Sequence, residues 1–240
     1  MIPAFNEEAY LPATLASVRA AMASVELPGE VIVVDNASTD RTAEVARAHG
    51  ADRVVFEPVN QIARARNAGA RAGAPESRFL VFLDADTHLS GPLLRQALDH
   101  LVAGDTCGGG AVTVADQPMP FYVERLLALW NWSARILGMA AGSYVWCLRE
   151  GFEAAGGFDE SVYAGEEVWF SKRLRRWGKR RKLKFRVLSH PPIVTSGRKS
   201  VWFSGWDFAK QVTILFLFPW AARSKRLCSM WYTRPNPPLP

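Results

Sequence analysis

The chain has 240 residues and is 49% hydrophobic, enough for one large α/β domain with a real core, which excludes a disordered chain. The formal charge of +6 is concentrated between Ser171 and Arg186, where ten basic residues meet no acidic one, so the remainder is mildly acidic. Cys107, Cys147 and Cys228 are odd in number and widely spaced, which argues against a disulfide scaffold or a zinc site and fits the reducing cytoplasm.

Residues 1–5 read as the end of a strand, a few residues short at its start, with no signal peptide before it. Leu11, Leu15, Val18 and Met22 form a helical stripe over residues 10–24, and Pro12 is tolerated in the first turn. Residues 30–34 are an apolar run of the kind buried on both faces of a sheet, ending at Asp35. Asp40 can cap a helix that runs to His49 and stops at Gly50. A short strand at 53–56, a helix at 62–72 closed by Gly73, a buried strand at 79–83 and a helix at 93–102 follow. The second half is less regular. It predicts strands at 111–114, 144–148 and 185–188, an amphipathic helix at 121–137, and a helix at 166–177 ending at Gly178.

Residues 201–222 are rich in Trp and Phe, but Asp207, Lys210 and Pro219 interrupt them, so they do not reach the length of a spanning helix. They suit an interfacial helix or one packed on the domain. The Pro-rich residues 234–240 read as a frayed tail. The organisation is thus one domain over 1–198 and an aromatic, amphipathic appendage over 199–240.

Strands alternating with helices imply an α/β fold with a mostly parallel central sheet, which binds ligands beyond the carboxyl ends of its strands. Asn6-Glu7-Glu8, Asp35-Asn36 and Asp84-Ala85-Asp86 all sit at such ends. Asp84 and Asp86 suit a hard divalent cation that also takes substrate phosphates, although aspartates are common in turns. Asp35 can accept from an imide N–H or from ribose hydroxyls. No glycine-rich phosphate loop is present, so phosphates would fall to a metal and to cationic side chains. The basic stripe suits phosphates or an anionic membrane, or is a solvated helix face. No motif supports nucleic acid.

Five segments occur in order: Ile2-Pro3-Ala4-Phe5-Asn6-Glu7-Glu8, Val34-Asp35-Asn36-Ala37-Ser38-Thr39-Asp40-Arg41-Thr42, Ala65-Arg66-Asn67-Ala68-Gly69, Asp84-Ala85-Asp86 and Gly157-Phe158-Asp159-Glu160. Together they resemble the family 2 glycosyltransferases of GT-A fold over residues 1–198. The resemblance implies inverting transfer from a UDP- or GDP-linked sugar with Mg²⁺ or Mn²⁺. Pro3, Phe5 and Glu7 would then border the nucleotide pocket, with Asp35 on the base. Arg64 or Arg66, with Asn67, would face the nucleotide from the third helix. Asp84 and Asp86 would hold ribose and metal. His190 would be a third metal ligand, or else structural, and Arg198 would meet the diphosphate, or else lie in a surface turn.

The family's usual Glu-Asp pair on a late helix reads Glu166-Glu167 here. Glu167 is the first choice of base and Glu166 the second. The aromatic segments and the basic stripe point to a lipid-linked or membrane-proximal acceptor and to peripheral contact at the inner face of the membrane. The competing readings are a nucleotidyltransferase, which the acidic loop after the first strand disfavours, and a non-catalytic nucleotide-sugar-binding protein.

Overall fold

The computed structural model describes residues 1–233, so the Pro-rich end lies outside the described residues. The first half follows the predicted alternation: β1 (Ile2–Ala4), α1 (Leu11–Ala23), β2 (Ile32–Asp35), α2 (Thr42–Ala48), β3 (Arg53–Phe56), α3 (Ile62–Ala72) and β4 (Phe79–Leu83). Then come β5 (Thr87–His88), α4 (Gly91–Val102), β6 (Thr106–Ala115), α5 (Phe121–Leu137), β7 (Tyr144–Leu148), α6 (Arg149–Ala154) and α7 (Glu166–Arg180). The chain continues as β8 (Lys184–Thr195), α8 (Lys199–Trp202), α9 (Gly205–Leu217) and 3₁₀ turns at Pro219–Arg223 and Ser229–Trp231.

β1, β2 and β3 form a three-stranded parallel sheet, and the other strands form a sheet in the order β4-β7-β6-β8-β5. Leu83 N donates to Met1 O (3.1 Å) and Met1 N to Val81 O (2.7 Å), joining the edges of the two sheets in a parallel sense. The sheet is parallel in the first half, as the expected mostly parallel order requires, and is interrupted in the second half, where β7 runs antiparallel to both β4 and β6. Strand order 3-2-1-4 puts the topological switch between β1 and β4, the place where open α/β sheets form a ligand crevice. Core residues lie on both faces: Leu11, Leu15, Leu93 and Trp146 in one cluster, Phe82, Phe152, Phe158 and Phe170 in another.

Three elements run past their predicted ends, each for a local reason. β6 begins before its glycines because Gly108, Gly109 and Gly110 lie against other backbones and the Trp146 ring. A Cβ on Gly109 would come within 1.9 Å of Arg186 O. α7 passes Gly178 instead of stopping there, since a Cβ on Gly178 would meet Cys107 Sγ at 2.6 Å, so this glycine permits close helix–strand packing. β8 continues through Pro191 and Pro192 to Thr195, bonding β6 on one side and β5 on the other. α2 is preceded by Arg41 at the cap position. Asp40 still ties down its start, accepting from Thr42 N (2.9 Å) and from Glu8 N (3.2 Å).

Candidate active site

The loops after β1 and β2 latch together before any ligand is considered. Asn6 N donates to Ser38 Oγ (3.0 Å), Thr39 N to Asn6 Oδ1 (2.8 Å), and Glu7 N to Thr42 Oγ1 (2.8 Å). Asn6 and Ala37 take positive φ (53° and 63°), a conformation non-glycine residues hold only when surrounding structure enforces it. The latch turns Glu7 into a cleft at the switch point, lined by Pro3, Phe5, Glu7, Asp84, Asp86 and Arg198 among others. Six residues expected at a donor site therefore meet in one cleft.

Two buried arginines divide the carboxylates of this cleft. Arg198 forks onto Glu7, with Nη1 donating to Oε2 (2.7 Å) and Nη2 to Oε1 (2.5 Å), and Nη2 also pairs with Asp86 Oδ2 (2.9 Å). Its guanidinium lies over the rings of Tyr10 (4.2 Å) and Trp202 (5.0 Å). The fork expected to meet a diphosphate is thus held by Glu7. Arg66, 2% exposed, donates from Nη1 to Glu166 Oε1 (2.6 Å) and from Nη2 to Asp84 Oδ1 (2.9 Å) and Gly142 O (2.8 Å). It forms the back wall between α3 and α7.

Other expected donor-site residues have structural partners. Asn67 bonds Phe158 N and O and Glu160 Oε1, so it pins the Gly157–Glu160 turn. Arg64 pairs with Glu57 (3.0 Å) and Glu160 (3.1 Å). Asp35 is buried and accepts from Ser38 N (3.0 Å), and its neighbour Asn36 lines the cleft in its place. His190 is exposed on β8, outside the cleft lining.

Glu166 and Glu167 differ sharply although adjacent. Arg66 neutralises Glu166, which is buried, whereas half-buried Glu167 forms no ion pair among the described residues. Desolvation, followed by the charge of Glu166, pushes the Glu167 carboxyl up from 4.5 to about 8. Desolvation and the charge of Asp86 also raise Asp84, against the pull of Arg66 and Lys199. The resulting pattern is a pair of aspartates in the cleft, each held by one buried arginine, and a carboxyl on the adjoining helix that holds its proton more tightly than usual.

Sequence reasoning missed the residues that close the cleft from the C-terminal side, Lys199, Trp231 and Tyr232. Tyr163 N donates to Ala222 O (2.6 Å) and Tyr232 Oη to Tyr163 O (3.0 Å), so the chain after α9 folds back onto the loop before α7. With these rings present the cleft encloses about 60 Å³, whereas small-molecule sites measure roughly 300–1,000 Å³. Only the density of aromatic residues near the end of the chain hinted at this contact.

Residues 1–156 match the sequence profile described as Glycosyl transferase family 2. An uncharacterized glycosyltransferase of Mycobacterium tuberculosis and one of Mycobacterium bovis are each 37% identical over 136 residues, 57% of this chain and 53% of theirs. The chain therefore spans about half the length of the curated relatives it matches. Among solved structures, a mannosyltransferase from Pyrobaculum calidifontis in complex with GDP-Man and Mn²⁺ superposes with a TM-score of 0.64 at 21% identity. It covers 94% of this chain and 63% of that one. Glucosyl-3-phosphoglycerate synthase from Mycobacterium tuberculosis, with Mn²⁺ and UDP, gives 0.61 at 19% identity over 98% and 80% of the two chains. TarS of S. aureus with UDP-GlcNAc gives 0.57 at 17% over 82% and 57%. These likenesses show a shared fold, the GT-A α/β fold. The chain belongs to glycosyl transferase family 2.

Proposed function

We propose that the chain transfers a sugar from a UDP- or GDP-linked donor to an acceptor hydroxyl, with inversion at the anomeric carbon. One observation carries this reading: Asp84 and Asp86 leave β4 opposite Pro3, Phe5 and Glu7, while Arg66 ties Asp84 to Glu166 on the helix bearing Glu167. The nucleoside lies along β1, and entry of its diphosphate displaces Trp231 and Tyr232 from the cleft.

A divalent cation fits the donor set. Asp84 and Asp86 both line the cleft, and Asp84 is raised by desolvation and by its neighbour's charge, a cost that a cation would relieve. Among the described residues no cluster of three His, Cys, Asp or Glu is gathered for a metal. A magnesium-like ion can be bound by one or two carboxylates plus substrate phosphates and water. His190, exposed outside the cleft, is not part of this set. Bound Mg²⁺ or Mn²⁺ would neutralise the departing diphosphate.

Glu167 takes the proton of the acceptor hydroxyl as its oxygen bonds to the anomeric carbon and the sugar–phosphate bond breaks. Attack from the face opposite the leaving group inverts that carbon. Glu166, neutralised by Arg66, positions the start of α7. The acceptor in this reading is lipid-linked, supported by the aromatic exterior of α5. A thermal-shift panel of nucleoside diphosphates with and without Mn²⁺ tests the donor half. One of UDP or GDP should stabilise the protein in a metal-dependent way, by about 2.7 kcal/mol at a hundred times its Kd. Indifference to every nucleotide would defeat the reading.

A further inference from the structure

We infer that the outer face of α5, together with the basic groove at its end, is a docking surface for a bilayer carrying anionic phospholipids. α5 is anchored on one side only: Ala134 is buried, and Asn131 exchanges hydrogen bonds with Thr113 N (3.0 Å) and Thr113 O (2.8 Å) of β6. On the opposite side Leu126, Leu129, Trp132 and Ile136 are exposed at spacings of three or four residues, so they form one stripe. From Leu126 to Ile136 this makes an apolar ridge of about 15 Å along the helix. Arg125 is the charged residue beside it, laid over the Phe121 ring at 4.8 Å, with its stem along the apolar surface.

The ridge continues at both ends. α9 starts against Tyr122, so closely that a Cβ on Gly205 would lie 2.7 Å from its ring, and the next residue, Trp206, is 82% exposed. At the other end Ile136, itself 61% exposed, also lines a groove of about 820 Å³ between α5 and α7. Arg135, Lys172, Arg175, Arg176, Lys179 and Lys184 line that groove, and no acidic residue does. Ile136 belongs to both features, so ridge and groove are one surface.

Contiguous exposed apolar area of this kind marks an interaction site. Its shape and charge select the occupant. A convex single-helix ridge with tryptophans along it suits the soft interface of a bilayer, where tryptophan rings settle at headgroup depth. An acid-free basic groove at the same level suits lipid phosphates, each basic side chain adding about 1 kcal/mol near an anionic surface. A nucleic acid would use the groove and leave the ridge uncovered. α7 carries Glu167 at its beginning and the groove's lysines and arginines further along, so docking would hold the reaction centre within one helix length of the headgroups.

The inference stands apart from donor chemistry: vesicle binding and nucleotide binding are read separately, and either can fail alone. The test is flotation of the protein with vesicles of phosphatidylcholine alone and with phosphatidylglycerol added, at low and high salt, with soluble glycerol phosphate as competitor. The protein should float with the anionic vesicles at low salt, sink with neutral ones, and resist the soluble competitor. Two surface variants, Leu129→Ser/Trp132→Ser and Lys172→Glu/Arg176→Glu/Lys179→Glu, should each cut the floated fraction about tenfold or more without shifting the melting temperature. The inference is overturned if the wild type sinks with anionic vesicles, if both variants float like it, if glycerol phosphate abolishes flotation, or if α5 proves to be covered by a stable homodimer.

Discussion

Arg66 and Arg198 look alike at first: each is buried, each grips two carboxylates, and each holds one aspartate of Asp84-Ala85-Asp86. They differ in what the second carboxylate does. Arg198 uses its fork on Glu7, so its cluster stiffens the loop that borders the donor pocket. Arg66 spends a donor on Glu166 and leaves the next residue without a counterion. Burial and the charge of Glu166 raise the Glu167 carboxyl against the pull of Arg66, so two adjacent glutamates sit in different environments, the kind of split that separates acid and base roles. The clusters therefore differ in what they fix: Arg198 holds Glu7 at the cleft, and Arg66 holds Glu166 at the start of α7 beside Glu167.

Breaking each cluster in turn gives the largest expected effect. Arg66→Met strands Glu166 and Asp84 without their buried cation and should cost about 3–5 kcal/mol in urea unfolding. Arg198→Met should cost about as much, because Glu7 and Asp86, at 4% and 12% side-chain exposure, lose their cation in turn. A much smaller loss in Arg198→Met would mean that its cluster rehydrates more readily than that of Arg66. Gly142→Ala sharpens the comparison without removing charge. Its Cβ would lie 2.9 Å from Arg66 Nη2 and 3.7 Å from Glu167 Cδ, so a loss of about 1–3 kcal/mol from overpacking is expected, with turnover falling beyond what stability explains. Normal turnover in Gly142→Ala would detach Arg66 from Glu167.

The smallest effect is a pH profile. Glu167 must be deprotonated to act as base, so kcat/KM of the free enzyme should climb until about pH 8. Stability should move the opposite way. A carboxyl that holds its proton more tightly when folded lends stability that is full below 4.5 and is lost as pH rises through about 8. Glu167→Gln should flatten both trends. A kcat/KM plateau already reached near pH 5 would place the base elsewhere.

Much of the fold was legible because the first half is governed by local patterns. Apolar runs, Gly73 and the polar residues after each strand gave β1 to β4 and α3 nearly residue by residue, and with them Phe5, Glu7, Asp84 and Asp86 in one cleft. The second half was harder because close approach, not turn chemistry, explains its glycines: Gly108 to Gly110 and Gly178 make room for Trp146, Arg186 and Cys107. The partners of the arginines were illegible for a different reason. Arg66 and Glu166 are 100 residues apart and Arg198 and Glu7 are 191 apart, and a single ion pair leaves no period in a sequence. The family pattern pointed to carboxylates and arginines that meet in the cleft, but it did not say which cations the carboxylates would consume. Trp231 and Tyr232 enter the cleft from beyond the matched region, where no motif guides a reading.

The central claim is that Glu167 carries the proton while the aspartate pair holds the donor. It is tested most directly by measuring metal-dependent nucleotide affinity and donor turnover together in Glu167→Gln and Glu166→Gln. The account predicts that Glu167→Gln binds nucleotide as the wild type does and loses turnover by about 10²- to 10⁴-fold. It also predicts that Glu166→Gln chiefly loses stability. Wild-type turnover in Glu167→Gln, or loss of turnover with intact stability in Glu166→Gln, would contradict it.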